Sequence, residues 1–449
     1  MLNISDILPW VKGQLRGPDT TFMGVSADTR TLKKNDLFVA LKGERVDGHN
    51  LLLEARQKGA TCALVERVVE TSLPLIYVDN TLKALGQMAY HYRLGFSPPM
   101  LAITGSSGKT TVKEMAGSIL TMKGETLITQ GSLNTEVGVP LTLMRLRKSH
   151  RAAVIEMGAR HKGDIQYLMG LVLPQVALIT NAGVAHVEIF GSERGIAEAK
   201  GEIFSELSLN GTGVVNLDSP YAHYWKGLLK GKKIMTFGLS KEADVTAEDL
   251  RYSLMGVNFT LKTPFGSSQI EVNAPGEHSV CNALAAAAAT LNMNASLDEV
   301  SRGLKAFRSI SGRLQMKQGL SGAQLIDDTY NANPHSMRAS LKVLSAFPGV
   351  KIFVMGDMRE LGAEARQFHE EIGNEAKNLK IDYLLGVGEN TAFAAKQFGD
   401  RGQHFSEKAL LLDVLKEMLE KNLEATVLIK GSRGMKMEEV LFAIEDKRK

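Results

Sequence analysis

Short apolar runs recur along the chain, separated by amphipathic stretches, which is the alternation of buried strands and covering helices in a parallel sheet. Near the start, runs at 36–41, 63–65 and 75–78 predict strands and 51–58 a helix, giving a small α/β unit over residues 1–84. Phe96-Ser-Pro-Pro99 then breaks the pattern, because consecutive prolines cannot continue a helix. From 100 to about 310, strand-like runs at 101–104, 126–129, 152–156, 176–180 and 213–216 alternate with helical stretches. This βαβ rhythm predicts a mostly parallel sheet whose ligands gather beyond the carboxyl ends of its strands. An antiparallel addition is expected over 252–263 and 268–273, ahead of a helix over 279–291. A third unit opens near Ser311-Gly-Arg313, with strands at 324–326, 351–355, 383–387 and 426–429 in a Rossmann-like, doubly wound sheet. The expected fold is therefore α/β in three domains, 1–84, 85–310 and 311–449, with hinges near Pro98 and Ser311. There is no internal repeat, heptad seam or low-complexity tail.

A chain of 449 residues exceeds one ordinary core, which agrees with three units. Its 44% hydrophobic and 23% charged residues describe a globular protein rather than a disordered one. A formal charge of +4, spread along the sequence, disfavours nucleic acid as a partner and suits anionic small substrates. The two cysteines, Cys62 and Cys281, lack metal-ligand spacing and read as thiols, which points to the cytoplasm. The N-terminus has no basic start followed by a long apolar run, and no segment reaches the ~18 apolar residues of a membrane span. No membrane insertion is expected.

The segment Met100-Leu-Ala-Ile-Thr-Gly-Ser-Ser-Gly-Lys-Thr-Thr111 carries the plainest chemistry. Gly105 and Gly108 let backbone N–H groups turn inward, and a helix starting near Thr111 points its positive end at the same spot. The result is a phosphate cradle built from Thr104, Gly105, Ser106, Ser107, Gly108, Lys109, Thr110 and Thr111. Lys109 suits the β- and γ-phosphates and the Thr110 hydroxyl suits Mg²⁺. The usual pattern has a further glycine where this chain has Ile103, so the turn is a shortened variant.

Other polar groups follow predicted strands. Glu156 ends the run 152–156 and reads either as a carboxylate for a hard cation beside the phosphates or as an edge carboxylate. His186 follows the run 176–180 and is structural or a ligand. Lys200, with Glu198 and Glu202 nearby, reads on spacing alone as a solvated lysine. The Asn282 amide suits an adenine edge or a core position. The loop Asp327-Asp-Thr-Tyr-Asn-Ala-Asn-Pro334 could hold a ribose hydroxyl and a zwitterion, although these are also turn residues.

Taken in order, these pieces resemble the Mur ligases over the whole chain. The resemblance rests on Thr104 to Thr111, Asn134 with Gly138-Val-Pro-Leu-Thr142, Glu156-Met-Gly-Ala159, Asn181-Ala182 with Ala185-His186, and Gly276-Glu-His278 with Asn282. Gly312-Arg313, Asp327 to Pro334 and Lys430-Gly-Ser-Arg-Gly434 complete it. The loop Asp328 to Pro334 looks like that of the members that add D-Ala-D-Ala to a UDP-N-acetylmuramoyl tripeptide.

The resemblance implies a bacterial, cytoplasmic, monomeric ligase completing the UDP-pentapeptide of peptidoglycan. ATP would phosphorylate the tripeptide carboxylate, and the amine of D-Ala-D-Ala would attack the acyl phosphate. By the same resemblance Lys109, Lys200, His186 and Arg313 are catalytic, Arg313 meeting the γ-phosphate, Asn282 the adenine and Asp328 the ribose. Two Mg²⁺ are implied, the first at Thr110 and Glu156, the second at His186 and a carbamate formed on Lys200. Ser26, Asp28, Arg30, Gly43, Asp47 and His49 would hold the UDP end of the acceptor. Asn134 would also face substrate, with Asn331 and Asn333 on the dipeptide side. The family's glycine-asparagine stretch is usually richer in Asn than Gly131-Ser-Leu-Asn-Thr135. A folate-polyglutamate type of ligase is argued against by the region 28–49, which that group lacks. A nucleotide switch without ligation would hydrolyse ATP whether or not the amine was present.

Overall fold

The computed structural model describes residues 1–44, 46–183, 187–422 and 424–446. Three large sheets follow one another along the chain, each with buried apolar strands at its centre. The first has strands β1 (Gln14–Arg16), β2 (Gly24–Ser26), β3 (Asp36–Val39), β4 (Cys62–Val65) and β5 (Leu75–Tyr77), in the order β1-β5-β4-β3-β2. All its pairings are parallel except β1 with β5. Helices α1 (Ile4–Val11), α2 (Leu52–Gln57) and α3 (Thr81–Leu94) accompany it.

Residue 84, expected to end the first domain, lies inside α3, so the chain leaves this sheet along a continuous helix. Its side-chain cap is Asn80, which accepts from Lys83 N, and the helix stops at Gly95, just ahead of the proline pair. It packs against α1 and against two helices of the central unit, α5 (Gly138–Leu143) and α6 (Asp164–Val172).

The central sheet is entirely parallel: β6 (Met100–Thr104), β7 (Thr126–Ile128), β8 (Ala152–Glu156), β9 (Val176–Ile179), β10 (Thr212–Asn216) and β11 (Lys233–Phe237), ordered β11-β10-β9-β6-β8-β7. Every residue of β6 and β8 is buried, which is why they read as unbroken apolar runs. Helix α4 (Lys109–Thr121) leaves β6, and α7 (Glu193–Ser205) and α8 (Glu277–Leu291) also cover the sheet. The run Ala285 to Ala289 is buried in α8, and its small side chains let that helix lie close to α4.

The antiparallel addition has three strands, β12 (Thr246–Tyr252), β13 (Val257–Thr263) and β14 (Gly266–Val272). The single strand expected over 252–263 is thus broken by a turn closed by Ser253 N donating to Gly256 O at 2.9 Å. The last sheet comprises β15 (Gln315–Gln318), β16 (Gln324–Asp328), β17 (Lys351–Gly356), β18 (Tyr383–Val387), β19 (Gly402–Phe405) and β20 (Thr426–Lys430). Its order is β15-β16-β20-β17-β18-β19, parallel except for β15. Helix α9 (Leu297–Ala306) packs against α4 and β14, and helix α10 (Pro334–Ser345) follows β16. Among the described residues no helix is long and apolar enough to cross a membrane, and both cysteines are free thiols.

Candidate functional site

The phosphate loop leaves β6 and is fixed from the neighbouring strand β9. Thr180 N donates to Thr104 O at 2.9 Å, Ser106 N to Asn181 O at 3.0 Å, and Ser107 N to Asn181 Oδ1 at 3.0 Å. Ser107 O accepts from Thr180 Oγ1 at 2.6 Å and from Asn181 Nδ2 at 3.1 Å. Gly105 (φ 154°) lies so close to β9 that an added Cβ would stand 1.9 Å from Thr180 Oγ1. Gly108 (φ 79°) is the residue before α4, and a Cβ there would meet Asn282 Oδ1 at 2.5 Å. Asn282 of α8 therefore lies against the loop. The helix begins at Lys109 rather than near Thr111, which brings its N–H groups about half a turn closer to the cradle.

Lys109 Nζ donates to Gly105 O at 2.6 Å. Burial lowers its pKa, the charge of Glu156 opposes that shift, and Arg313 adds to it. Lys200 is 6% exposed, and burial followed by the charge of Lys109 drives its pKa far below the usual lysine value. A solvated lysine is thereby excluded. Its sequence neighbours are occupied elsewhere, Glu198 with Arg194 and Glu202 with the Gly163 and Gln166 N–H groups.

Glu156, 2% exposed at the end of β8, accepts from Asn134 Nδ2 at 2.7 Å through Oε1, while its backbone N–H donates to Thr129 Oγ1 at 3.0 Å. Its other oxygen, Oε2, is buried without a hydrogen bond. The nearest cation to it among the described residues, Lys113 Nζ, stands 3.8 Å away, beyond hydrogen-bond distance, so a buried carboxylate oxygen is left able to take a closer cation. Among the described residues no group of three or more His, Cys, Asp or Glu side chains could hold a metal. The donor set is one carboxylate whose charge reaches Lys109 of the phosphate loop, which fits Mg²⁺ because that ion keeps waters and takes phosphate oxygens. His186 lies outside the described residues.

The last domain brings its own residues to this place. Asp327, 1% exposed, accepts from Gly312 N at 3.0 Å and from Thr329 Oγ1 at 2.7 Å, which fixes the Gly312-Arg313 turn at the end of β16. The Arg313 guanidinium stacks 4.1 Å over the Tyr330 ring. Asp328 is buried and bonded through Oδ2 to Lys430 Nζ at 2.5 Å and to Ser340 Oγ at 2.6 Å. Asn333 caps α10, accepting from Ser336 N at 2.8 Å, and its Nδ2 donates to Ser107 Oγ at 3.0 Å. Expected to face the dipeptide, Asn333 also joins two domains, using one N–H and one oxygen lone pair of its amide. Asn331 is exposed, with Oδ1 accepting from Ala332 N at 2.9 Å. A second bridge runs from Gly362 N to Glu188 Oε1 at 2.9 Å.

The N-terminal residues form a separate group at the carboxyl ends of β2, β3 and β4. Ser26 Oγ donates to Asp28 O at 2.9 Å, and Asp28 holds the exposed Arg30 through Oδ2 at 2.6 Å. Gly43 closes a turn by donating to Val46 O at 3.0 Å. Asp47 accepts from His49 N at 2.9 Å and pairs with Arg67 at 3.1 Å, and the backbone and ring of His49 pull it down to about 2. His49 is 2% exposed, with Nδ1 on Asp47 and Nε2 accepting from Glu66 N at 3.1 Å. Both ring nitrogens are engaged within the protein, which fixes the loop expected to hold the UDP end.

Thr180, Asn181, Arg67 and Lys430 were not among the expected site residues. Asn181 and Lys430 each end or follow a buried apolar strand, and that position was their available signal.

The cradle on a parallel sheet, flanked by a small α/β unit and a doubly wound domain carrying Arg313, has the three-module architecture of a nucleotide-dependent ligase. Models of the Mur ligase family match in turn: the catalytic domain over residues 21–93, the middle domain over 103–290 and the glutamate ligase domain over 312–433. The chain belongs to the Mur ligase family.

Among its relatives is the UDP-N-acetylmuramoyl-tripeptide–D-alanyl-D-alanine ligase of Escherichia coli K12, 41% identical over 99% of this chain and 98% of that one. A crystal structure of MurF from Acinetobacter baumannii superposes with a TM-score of 0.92 at 37% identity, covering 98% of this chain and 97% of the other. MurF from Thermotoga maritima in complex with ADP gives 0.82 at 28% identity, over 94% and 96%.

Proposed function

We propose that this chain uses ATP to join D-Ala-D-Ala to the UDP-N-acetylmuramoyl tripeptide, completing the UDP-pentapeptide of peptidoglycan, as a monomer in the bacterial cytoplasm. The observation that carries the reading is that Lys109, at the end of the phosphate loop, lies within reach of the charges of Glu156, Arg313 and Lys200, which come from three other parts of the chain. The subtype follows the names of its relatives.

The chemistry needs two anions, the tripeptide carboxylate and the γ-phosphate, brought together. Lys109 and Arg313 supply fixed positive charge for the phosphoryl group in transfer. Carboxylate attack on the γ-phosphorus forms a C–O–P link and releases ADP. The amine of D-Ala-D-Ala attacks the acyl carbon, loses a proton and expels phosphate. Asn282, which lies against Gly108, is proposed at the adenine. Asp328 is proposed at the ribose, with Lys430 and Ser340 holding its side chain.

Thr110 and Glu156 would hold the first of two Mg²⁺; His186 and carbamylated Lys200 would serve the second. Bound there, the ions would neutralise phosphate charge and polarise the acceptor carboxylate. Burial and the charge of Lys109 depress the pKa of Lys200 and so favour its neutral amine, the form that adds CO₂ to give an N–C bond and a released proton. The acceptor's UDP end is assigned to Ser26, Asp28, Arg30, Gly43, Asp47 and His49, and its peptide to Asn134. Asn331 and Asn333 remain the candidates for the dipeptide.

Phosphate release from ATP tests the reading across UDP-muramoyl peptides, each with and without D-Ala-D-Ala. Release should require both partners, with product forming one for one. ATP hydrolysis indifferent to the amine would refute it.

A further inference from the structure

Beneath Glu156 lies a charge for which the proposed reaction has no use. Lys113 sits on α4 one turn beyond Lys109 and is wholly buried. A buried ammonium persists only where partners replace its water. Lys113 Nζ donates to Thr129 O at 2.7 Å and pairs with Glu114 Oε1 at 2.9 Å, and it stands 3.8 Å from Glu156 Oε2. Thr129 also accepts the N–H of Glu156, and Asn134 holds Oε1. Glu156 is therefore fixed by its backbone and one oxygen, while Oε2 is charge-matched by Lys113 without being hydrogen-bonded to anything.

The surrounding charges give this geometry a consequence. Lys109 and Arg313 are positive, Lys200 is pushed toward neutrality, and Glu156 and Glu114 are negative. A divalent ion arriving alone would find one free carboxylate oxygen already facing an ammonium. A triphosphate carries enough negative charge to reverse that balance.

We propose that Lys113 is a positioning residue standing in for a divalent cation at Glu156, holding the carboxylate ready while excluding metal until nucleotide is present. This rests on Glu156 being a metal contact. Glu114, whose side chain is 35% exposed, tempers the effect by sharing Lys113.

Mn²⁺ titration of the whole protein, followed by electron paramagnetic resonance with and without a non-hydrolysable ATP analogue, tests it. The unaltered protein should bind Mn²⁺ saturably only with the analogue. Lys113→Met, similar in length but uncharged, should bind Mn²⁺ without nucleotide at least about 10-fold more tightly, since a nearby like charge has gone. A folded K113M protein with unchanged nucleotide-free affinity overturns the proposal. If K113M does not fold, the surface change Glu114→Gln decides. It turns Lys113 fully onto Glu156 and should weaken Mn²⁺ binding in the nucleotide complex by about 3-fold or more; unchanged affinity overturns the proposal. Glu156→Gln separates the premise. Undiminished Mn²⁺ binding in its nucleotide complex would show that Glu156 is no metal contact, removing the assignment as well as the role of Lys113.

Discussion

The bond from Asn333 Nδ2 to Ser107 Oγ crosses from the last domain to the phosphate loop, so its strength should appear in catalysis. Ser107→Ala removes the acceptor and leaves the loop shape intact, because the backbone N–H and C=O of Ser107 are held by Asn181 and Thr180. Asn333→Ser removes the donor, and Ser is a good N-cap, so α10 keeps its start. A neutral hydrogen bond at 3.0 Å is worth about 0.5–1.5 kcal/mol net, or roughly 2- to 12-fold in an equilibrium. Each single variant should lose about that factor in kcat/KM for ATP, measured by phosphate release with both acceptors saturating. Thermal melts should stay level, since neither change opens a core or strips a cap. In the double variant the losses should not multiply, as both remove the same bond. Independent, multiplying losses would show that the two side chains do not act together in the closed enzyme.

Three further outcomes can be measured. Lys200→Ala should lose at least about 10²-fold in turnover and regain part of it with formate or acetate in place of a carbamate; full activity without additive removes Lys200 from the reaction. Gly105→Ala should lower the melting temperature and abolish ADP binding by calorimetry, because its Cβ overlaps Thr180 Oγ1 at 1.9 Å. Adding Thr180→Ala should restore part of the melt, the next contact being Thr180 Cβ at 3.1 Å. His278, held near 4 chiefly by burial, faces Asp328, Lys430 and His335, of which Lys430 and His335 also disfavour its charge. The folded chain thus binds fewer protons than the unfolded one between about pH 4 and 6.5, so stability should rise with pH across that window and fall by about 2–3 kcal/mol on acidifying through it. His278→Gln should flatten that part of the melting profile; an unchanged slope would assign it to other groups.

The strands legible in the sequence were those buried on both faces. β6 and β8 are apolar up to their last residues, Thr104 and Glu156, because helices cover both sides, and their runs are continuous. Edge strands escaped notice for the converse reason. β11 opens with two exposed residues, β15 reads Gln-Met-Lys-Gln, and β19 has exposed polar residues at its centre. An edge without a partner tolerates, and for solubility favours, such residues. The break between β12 and β13 was hidden because its turn, Ser253-Leu-Met-Gly256, lacks the usual Asn, Asp or Pro.

The phosphate loop was legible because its chemistry is local. Lys200 and Lys113 were hidden by their residue type, yet each carries a signal in its helical position. Lys200 falls between the buried Ile196 and Ile203-Phe204, and Lys113 falls a turn before the buried Ala116 and Gly117. A lysine on the core-facing stripe of an amphipathic helix has lost its water and needs an acidic, carbonyl or chemical partner. What no local pattern shows is which lysines meet. Lys109, Glu156 and Asn181 converge because β6 lies between β8 and β9, strands that follow it in sequence yet flank it in the sheet. Arg313 joins them only when the last domain stands against the loop, as the Asn333 to Ser107 bond records. Cations that burial and mutual repulsion keep expensive in the free enzyme are therefore gathered where two substrate anions must touch, and the cost of gathering them falls away once those anions arrive.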